Sequence, residues 1–157
     1  IVPYGTEALG VMRIEKGHAA GNELNGTTSA LNLRMGRMVS KKKDSIGSVL
    51  SEREGLNAQD ALKLVGFVPV ETDDAIPAGA HLMNTGGPVD AGRDQGYITS
   101  ACFSPNLNCH IGIGFLKAGD TRIGEVVRLV SPLTGQDHNV KVVSAHFVDP
   151  EGERLRA

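Results

Sequence analysis

From residue 61 onward the chain is a succession of short apolar runs, each closed by turn-forming residues. ALKLVGFVPV, AHLMN, GYITSACF, HIGIGFLK, EVVRLVS and VKVVSAHFV follow one another, and β-branched residues recur among them. Between them lie Gly86-Gly87-Pro88, Ser104-Pro105-Asn106, Ala118-Gly119-Asp120 and Gly135-Gln136-Asp137. Runs of this kind at fairly even spacing predict short strands closing into a small antiparallel barrel or stacking as a sandwich. Pro69 ends the first strand, because proline has no N–H to give to a ladder. The 20 glycines and 7 prolines of the 157 residues suit such a turn-rich fold. Aromatics are 4% and Trp is absent, so the core must be built from Val, Leu, Ile, Met and Ala.

The first third reads differently. Thr6 is placed to cap a helix, with Glu7 in the first turn where the dipole favours negative charge. Leu9, Met12 and Lys16 fall on one face with Val11 and Ile14 beside it, and Gly17 is a natural stop, so a helix is predicted over 6–16. His18 to Thr28 is loop chemistry. A helix over 29–34 and an extended segment over 36–40 follow, and IGSVLSERE reads as a short helix ending at Gly55. The chain thus divides into a helical segment, 1–58, and an all-β segment, 59–157, with no internal repeat.

Several function classes are excluded. The net charge of −2 and pI near 6.2 lack the basic surface that phosphate contacts demand, so nucleic acid is not an expected partner. No apolar run reaches the about 20 residues of a membrane helix. The N-terminus, Ile1-Val2-Pro3, has no signal-peptide pattern, which predicts a cytoplasmic location; the missing Met suggests a piece of something longer. Asn25-Gly26-Thr27 is discounted as a glycosylation acceptor for the same reason. Cys102 and Cys109 make neither a disulfide framework nor a zinc pattern. The histidines (His18, His81, His110, His138, His146) are scattered without metal-ligand spacing. P-loop, GxGxxG, HExxH and GxSxG signatures are absent. Gly112 and Gly114, in GIGF, read as glycines that permit a tight barrel bend.

Two features carry candidate chemistry. Glu15 stands in the last turn of the predicted helix, where the dipole disfavours a carboxylate by up to ~1 kcal/mol. It pairs with Arg13 or Lys16, or is exposed and points away, or forms a buried acceptor pair for a ligand with two adjacent N–H donors; a pterin, with its 2-amino group and N3–H, offers that fork. Lys41-Lys42-Lys43 is a solvated turn or a clamp for an anionic ligand tail.

The stretch YGTEALGVMRIEKGHAAGNELNGTTSALNLRMGRMVSKKKDSIG closely resembles the folate-binding region of the α subunit of bacterial heterotetrameric sarcosine oxidase. More distantly it resembles the aminomethyltransferase of the glycine cleavage system (T-protein) and dimethylglycine dehydrogenase. LKLVGFVPV, GYITSACFSPNLNCHIGIGFLK and FVDPEGERLRA agree with this, so the resemblance runs nearly the whole chain. It implies an α+β chain: residues 1–58 as the end of a folate-binding domain, then a six-stranded antiparallel barrel over 59–157. It implies a tetrahydrofolate site in which Glu15 binds the pterin and Lys42 or Lys43 holds the glutamate tail. The loop is one residue shorter than in T-proteins and reads GNE where they often have YG.D, which leaves Glu23 without an assigned role. Ser45 replaces an aromatic that commonly precedes IG.

The implied parent reaction is oxidative demethylation of sarcosine to glycine, the one-carbon unit passing to tetrahydrofolate. FAD, FMN and NAD are expected in the intact complex, bound elsewhere. No catalytic residue is expected here, since the family's essential Asp would precede Ile1. The expected partners are the rest of the α subunit and the other subunits. A T-protein-like aminomethyltransferase and a non-catalytic docking barrel are the alternatives.

Overall fold

The computed structural model describes residues 2–40, 42–71 and 73–157. Six strands, β1 (Leu62–Pro69), β2 (His81–Met83), β3 (Asp94–Ser104), β4 (Cys109–Lys117), β5 (Val126–Ser131) and β6 (Gln136–Val143), close into a barrel in the order β1-β4-β3-β2-β5-β6. Every neighbouring pair is antiparallel. Closure leaves no sheet edge unpaired among the described residues. The fold is the expected α+β chain with a six-stranded antiparallel barrel.

The barrel interior is filled by Phe67, Leu82, Ile98, Leu129 and Val142 among others, all shielded from solvent. β4 is apolar on both faces because both are covered. Its inner side faces Ile76 and Ile98 through Gly112, where a Cβ would lie 2.8 Å from the Ile76 side chain. Its outer side, Ile111, Ile113 and Phe115, packs under Ile14 and Ala145. At Gly114 an added Cβ would meet the Tyr97 carbonyl at 2.2 Å. β3 is out of register between Ile98 and Ser100 opposite this glycine. Gly114 therefore serves a close strand approach at a bulge, and Gly112 makes room for interior side chains.

Helix α1 (Thr6–Lys16) has the predicted bounds. Its N-cap is Gly5, in extended conformation with no side-chain bond, so Thr6 is the first helical residue and not the cap. Leu9 and Met12 face outward; Ile14 and Glu15 are the buried pair. Residues 29–34 form turns and Gly36–Met38 a 3-10 turn, correcting the expected helix and extended segment. Asn32 explains this: its side chain bonds Ser29 N at 2.8 Å and the Leu62 carbonyl at 2.7 Å, an alternative to helical backbone bonding. The helix expected to end at Gly55 is two separate turns, α2 (Ser48–Ser51) and α3 (Glu54–Asn57), the second containing Gly55.

β6 begins four residues before the expected Val140 and ends at Val143. Ser144 to Val148 leave the barrel and return to α1, where Phe147 N and Val148 N both donate to the Glu15 carbonyl at 2.9 and 3.0 Å. Gly66 admits that path, since a Cβ there would lie 2.5 Å from the Ser144 carbonyl. A last turn, α4 (Glu153–Arg156), follows. No helix of the described residues is long and apolar enough to cross a membrane.

Candidate functional site

The site is built where α1 ends against β3. Gly17 stops the helix in the left-handed conformation (φ 73°), its N–H and that of His18 bonding back to the Ile14 and Arg13 carbonyls at 3.0 and 2.8 Å. An L residue there would be strained, and its Cβ would stand 2.4 Å from the Ala145 carbonyl. The helix end is thereby pressed onto the chain leaving β6, and Glu15 is only 4% exposed. One carboxylate oxygen accepts from Ser104 Oγ at 2.5 Å, the other from Asn106 Nδ2 at 2.8 Å. Both donors belong to the β3–β4 hairpin.

Glu15 pairs with neither Arg13 nor Lys16. Arg13 reaches Glu23 at 2.8 Å, and Lys16 reaches Asp149, 3.2 Å away. The carboxylate that opposes the helix dipole is held by neutral donors, one on each oxygen. A carboxylate has about four lone-pair sites, so each oxygen keeps capacity for a second donor. Those remaining positions are acceptors for N–H or O–H groups.

A second carboxylate lies in the same interface. Glu23, in the 3-10 turn Gly21–Glu23, is fully buried. It accepts from Arg13 Nη1 at 2.8 Å, Ser100 Oγ at 2.6 Å and the Ala20 N–H at 2.9 Å. Arg13 Nη2 also donates to Ser100 Oγ, at 2.7 Å, closing the ring. Burial pushes the Glu23 carboxyl up, but hydrogen bonds from Ser100 and the Ala20 backbone, with the Arg13 charge, outweigh it and leave the group below its ordinary value. The β3 irregularity presents these donors. Ser100, Cys102 and Ser104 alternate onto the face under α1, and the Thr99 carbonyl accepts from Asn22 at 3.2 Å.

Cys102 sits between the two carboxylates. Burial first, then the Glu15 charge, raises its thiol to about 11 against the opposing pull of Arg13. Burial raises Cys109 as well. Both stay protonated near neutrality, which suits packing and not nucleophilic chemistry.

Lys42 and Lys43 are exposed, and Lys41 lies outside the described residues. Lys43 lines a cleft of about 470 Å³ with Ser40, Ser45, Ser48 and Asn57; neither Glu15 nor Lys42 lines it. The structure does not gather Glu15 and the lysines into one pocket. Among the described residues no cluster of His, Cys, Asp and Glu has metal-site geometry. His81 bonds Asp94 at 2.8 Å, and His146 bonds the Lys16 carbonyl at 2.9 Å.

Sequence reading missed Ser104, Asn106 and the Glu23 ring. Ser104-Pro105-Asn106 looked like turn chemistry, which it also is. The available signals were polar residues interrupting the apolar face of β3, at Ser100 and Ser104, and an acid, Glu23, in the loop after a helix bearing Arg13.

Residues 63–149 match the sequence profile of the glycine cleavage T-protein C-terminal barrel domain. The chain is 40% identical over 156 residues to sarcosine oxidase subunit alpha of Rhizobium meliloti (strain 1021), covering 99% of this chain and 16% of that protein. It is 37% identical to the same subunit of Corynebacterium sp. (strain P-1), covering 98% and 16%. An aminomethyltransferase of Halothermothrix orenii is 31% identical over 136 residues, covering 83% and 35%. The chain thus spans less than a fifth of the length of the sarcosine oxidase subunits it matches. The crystal structure of glycine cleavage system aminomethyltransferase T from Bartonella henselae superposes with a TM-score of 0.68 at 23% identity, over 93% of this chain and 39% of that one.

Proposed function

We propose that this chain, which belongs to the glycine cleavage T-protein C-terminal barrel family, is the tetrahydrofolate-binding segment of a cytoplasmic sarcosine oxidase α subunit. The similarity to sarcosine oxidase subunits, 40% over nearly the whole chain, favours this over an aminomethyltransferase, 31% over less of it. The whole protein would demethylate sarcosine oxidatively to glycine, with tetrahydrofolate accepting the one-carbon unit. FAD, FMN and NAD would be bound outside this segment. Residues 1–58 would close a folate-binding domain and 59–157 form the barrel beside it. Leu9, Met12, Met38, Ile46 and Val49, all exposed, would meet the rest of the subunit and its partners.

The observation that supports the folate assignment is Glu15: a buried carboxylate at an unfavourable helix end, with both oxygens fixed. Its part is to accept from the pterin 2-amino group and N3–H, which orients the ring, a positioning effect. Lys42 and Lys43 would meet the carboxylates of the glutamate tail. The aminobenzoyl spacer of a folate separates tail from pterin, so anchor and cations need not share a wall.

The test is an equilibrium titration of the intact oxidase with tetrahydrofolate. Charge-assisted bonds contribute about 1.5–3 kcal/mol each, so Glu15→Gln is expected to weaken binding by about tenfold or more. Unchanged affinity overturns the reading.

A further inference from the structure

We propose that Ser104 and Asn106, at the turn joining β3 to β4, are positioning residues that set the orientation of the Glu15 carboxylate. The helix supplies the anchor, and the barrel aims it. The inference rests on Glu15 being the pterin anchor.

The geometry gives each donor one task. The Ser104 side chain is fully buried. Its oxygen accepts the Leu107 N–H at 3.2 Å, so its single proton is committed to Glu15. Asn106 bonds the other oxygen. A glutamate's terminal torsion is broad and roughly two-fold, and one bond leaves the carboxylate plane free to turn about it. Two donors on different oxygens fix that plane. The donors are themselves fixed. Ser104 pairs with Cys109 in the last rung of the ladder. Pro105 presets the backbone of the turn, and Asn108 closes it in the left-handed region (φ 53°). Asn106 is exposed while Ser104 is not, so of the two donors Asn106 is the one on the solvent side of the carboxylate. The main chain around Glu15 is already held by Phe147 and Val148. The two side-chain bonds therefore add orientation of the carboxylate to an anchorage that stands without them.

The test measures tetrahydrofolate affinity in the intact oxidase for Ser104→Ala, Asn106→Ala, Ser104→Thr and Glu15→Gln, with each alanine change repeated in the Glu15→Gln background. Each alanine change is expected to weaken binding about 5- to 20-fold. Ser104→Thr, which keeps the hydroxyl, is expected to restore affinity to within about threefold. In the Glu15→Gln background the alanine changes are expected to add almost nothing, because residues acting through one group are not additive. If Glu15→Gln loses affinity while both alanine variants keep it, the positioning role falls and the pterin reading stands. Full additivity in the Glu15→Gln background also overturns the positioning role. If Glu15→Gln binds as tightly as wild type, the pterin reading falls and the positioning role with it. Should Ser104→Ala fail to fold, Asn106→Ala and Ser104→Thr decide the matter.

Discussion

The barrel and the first 58 residues are held by different physics. The barrel closes on itself, and its interior side chains Phe67, Leu82 and Leu129 see no solvent. The first 58 residues bury few large apolar side chains, Ile14 foremost, and leave Leu9, Met12, Met38, Ile46 and Val49 exposed. What holds the 13–23 stretch to the barrel wall is largely polar: two carboxylates, Glu15 and Glu23, gripped by donors of β3 and its hairpin. A core stabilises in proportion to area buried, without fixing any one angle. A hydrogen-bonded carboxylate contributes less but fixes direction. The segment that carries Glu15 is attached by the directional kind of contact.

The largest effect should come from the barrel interior. Phe67→Ala is expected to destabilise by about 3–5 kcal/mol, read as a lower denaturant midpoint with the slope unchanged. Loss confined to residues 1–58 would break the contrast, because Phe67 belongs to the barrel interior.

Next is Glu23→Gln. Breaking a buried pair costs about 3–5 kcal/mol when a charge is stranded; Arg13 is partly exposed, so about 2 kcal/mol is expected. Hydrogen exchange should quicken across residues 10–24 while the strands keep their protection. Equal loss in β1 and β4 would show that the two regions are one cooperative unit.

The same carboxylate gives a pH dependence. Its folded value lies below the ordinary 4.5, so its contribution is complete above that pH and is lost as pH falls through the lowered folded value. The α1 contact should loosen in that acid window before the barrel melts, seen as faster exchange at residues 10–24. Loosening on raising the pH from neutrality would contradict the assignment.

The smallest effect belongs to the surface. Arg122 and Glu125 pair at 2.7 Å with side chains 14% and 45% exposed, and the Arg122 hydrogen bond is the first cause holding the Glu125 carboxyl low, against slight burial. Glu125 is reached by solvent and Arg122 keeps Asn84 as an acceptor at 3.0 Å, so Glu125→Gln should shift stability by less than about 1 kcal/mol. A shift of 2 kcal/mol would show that such pairs matter here as much as the buried ones.

These contrasts explain what was legible in the sequence. Strands announce themselves through β-branched runs between turn residues, so all six were placed. Their ends were less visible. β6 starts in Gln136-Asp137-His138-Asn139, which looks like turn and loop, because alternation in a barrel wall tolerates polar residues at the rim. The apolar SAHFV looks like strand but packs against α1, a use of hydrophobicity that has no local signature. Glu15 was visible because a local rule, the helix dipole, objects to it. Its partners Ser104 and Asn106 lie 89 and 91 residues away and break no local rule. The helix over 29–34 failed for the opposite reason. Asn32 gave its side chain to Ser29 and Leu62, and that competition is settled only once the barrel exists.

The most direct measurement is a crystal structure of the intact oxidase with tetrahydrofolate bound. The account predicts both Glu15 oxygens within hydrogen-bonding distance of the pterin 2-amino group and N3, with Ser104 and Asn106 still bonded behind them. A pterin seated elsewhere, with Glu15 touching only Ser104 and Asn106, would contradict it.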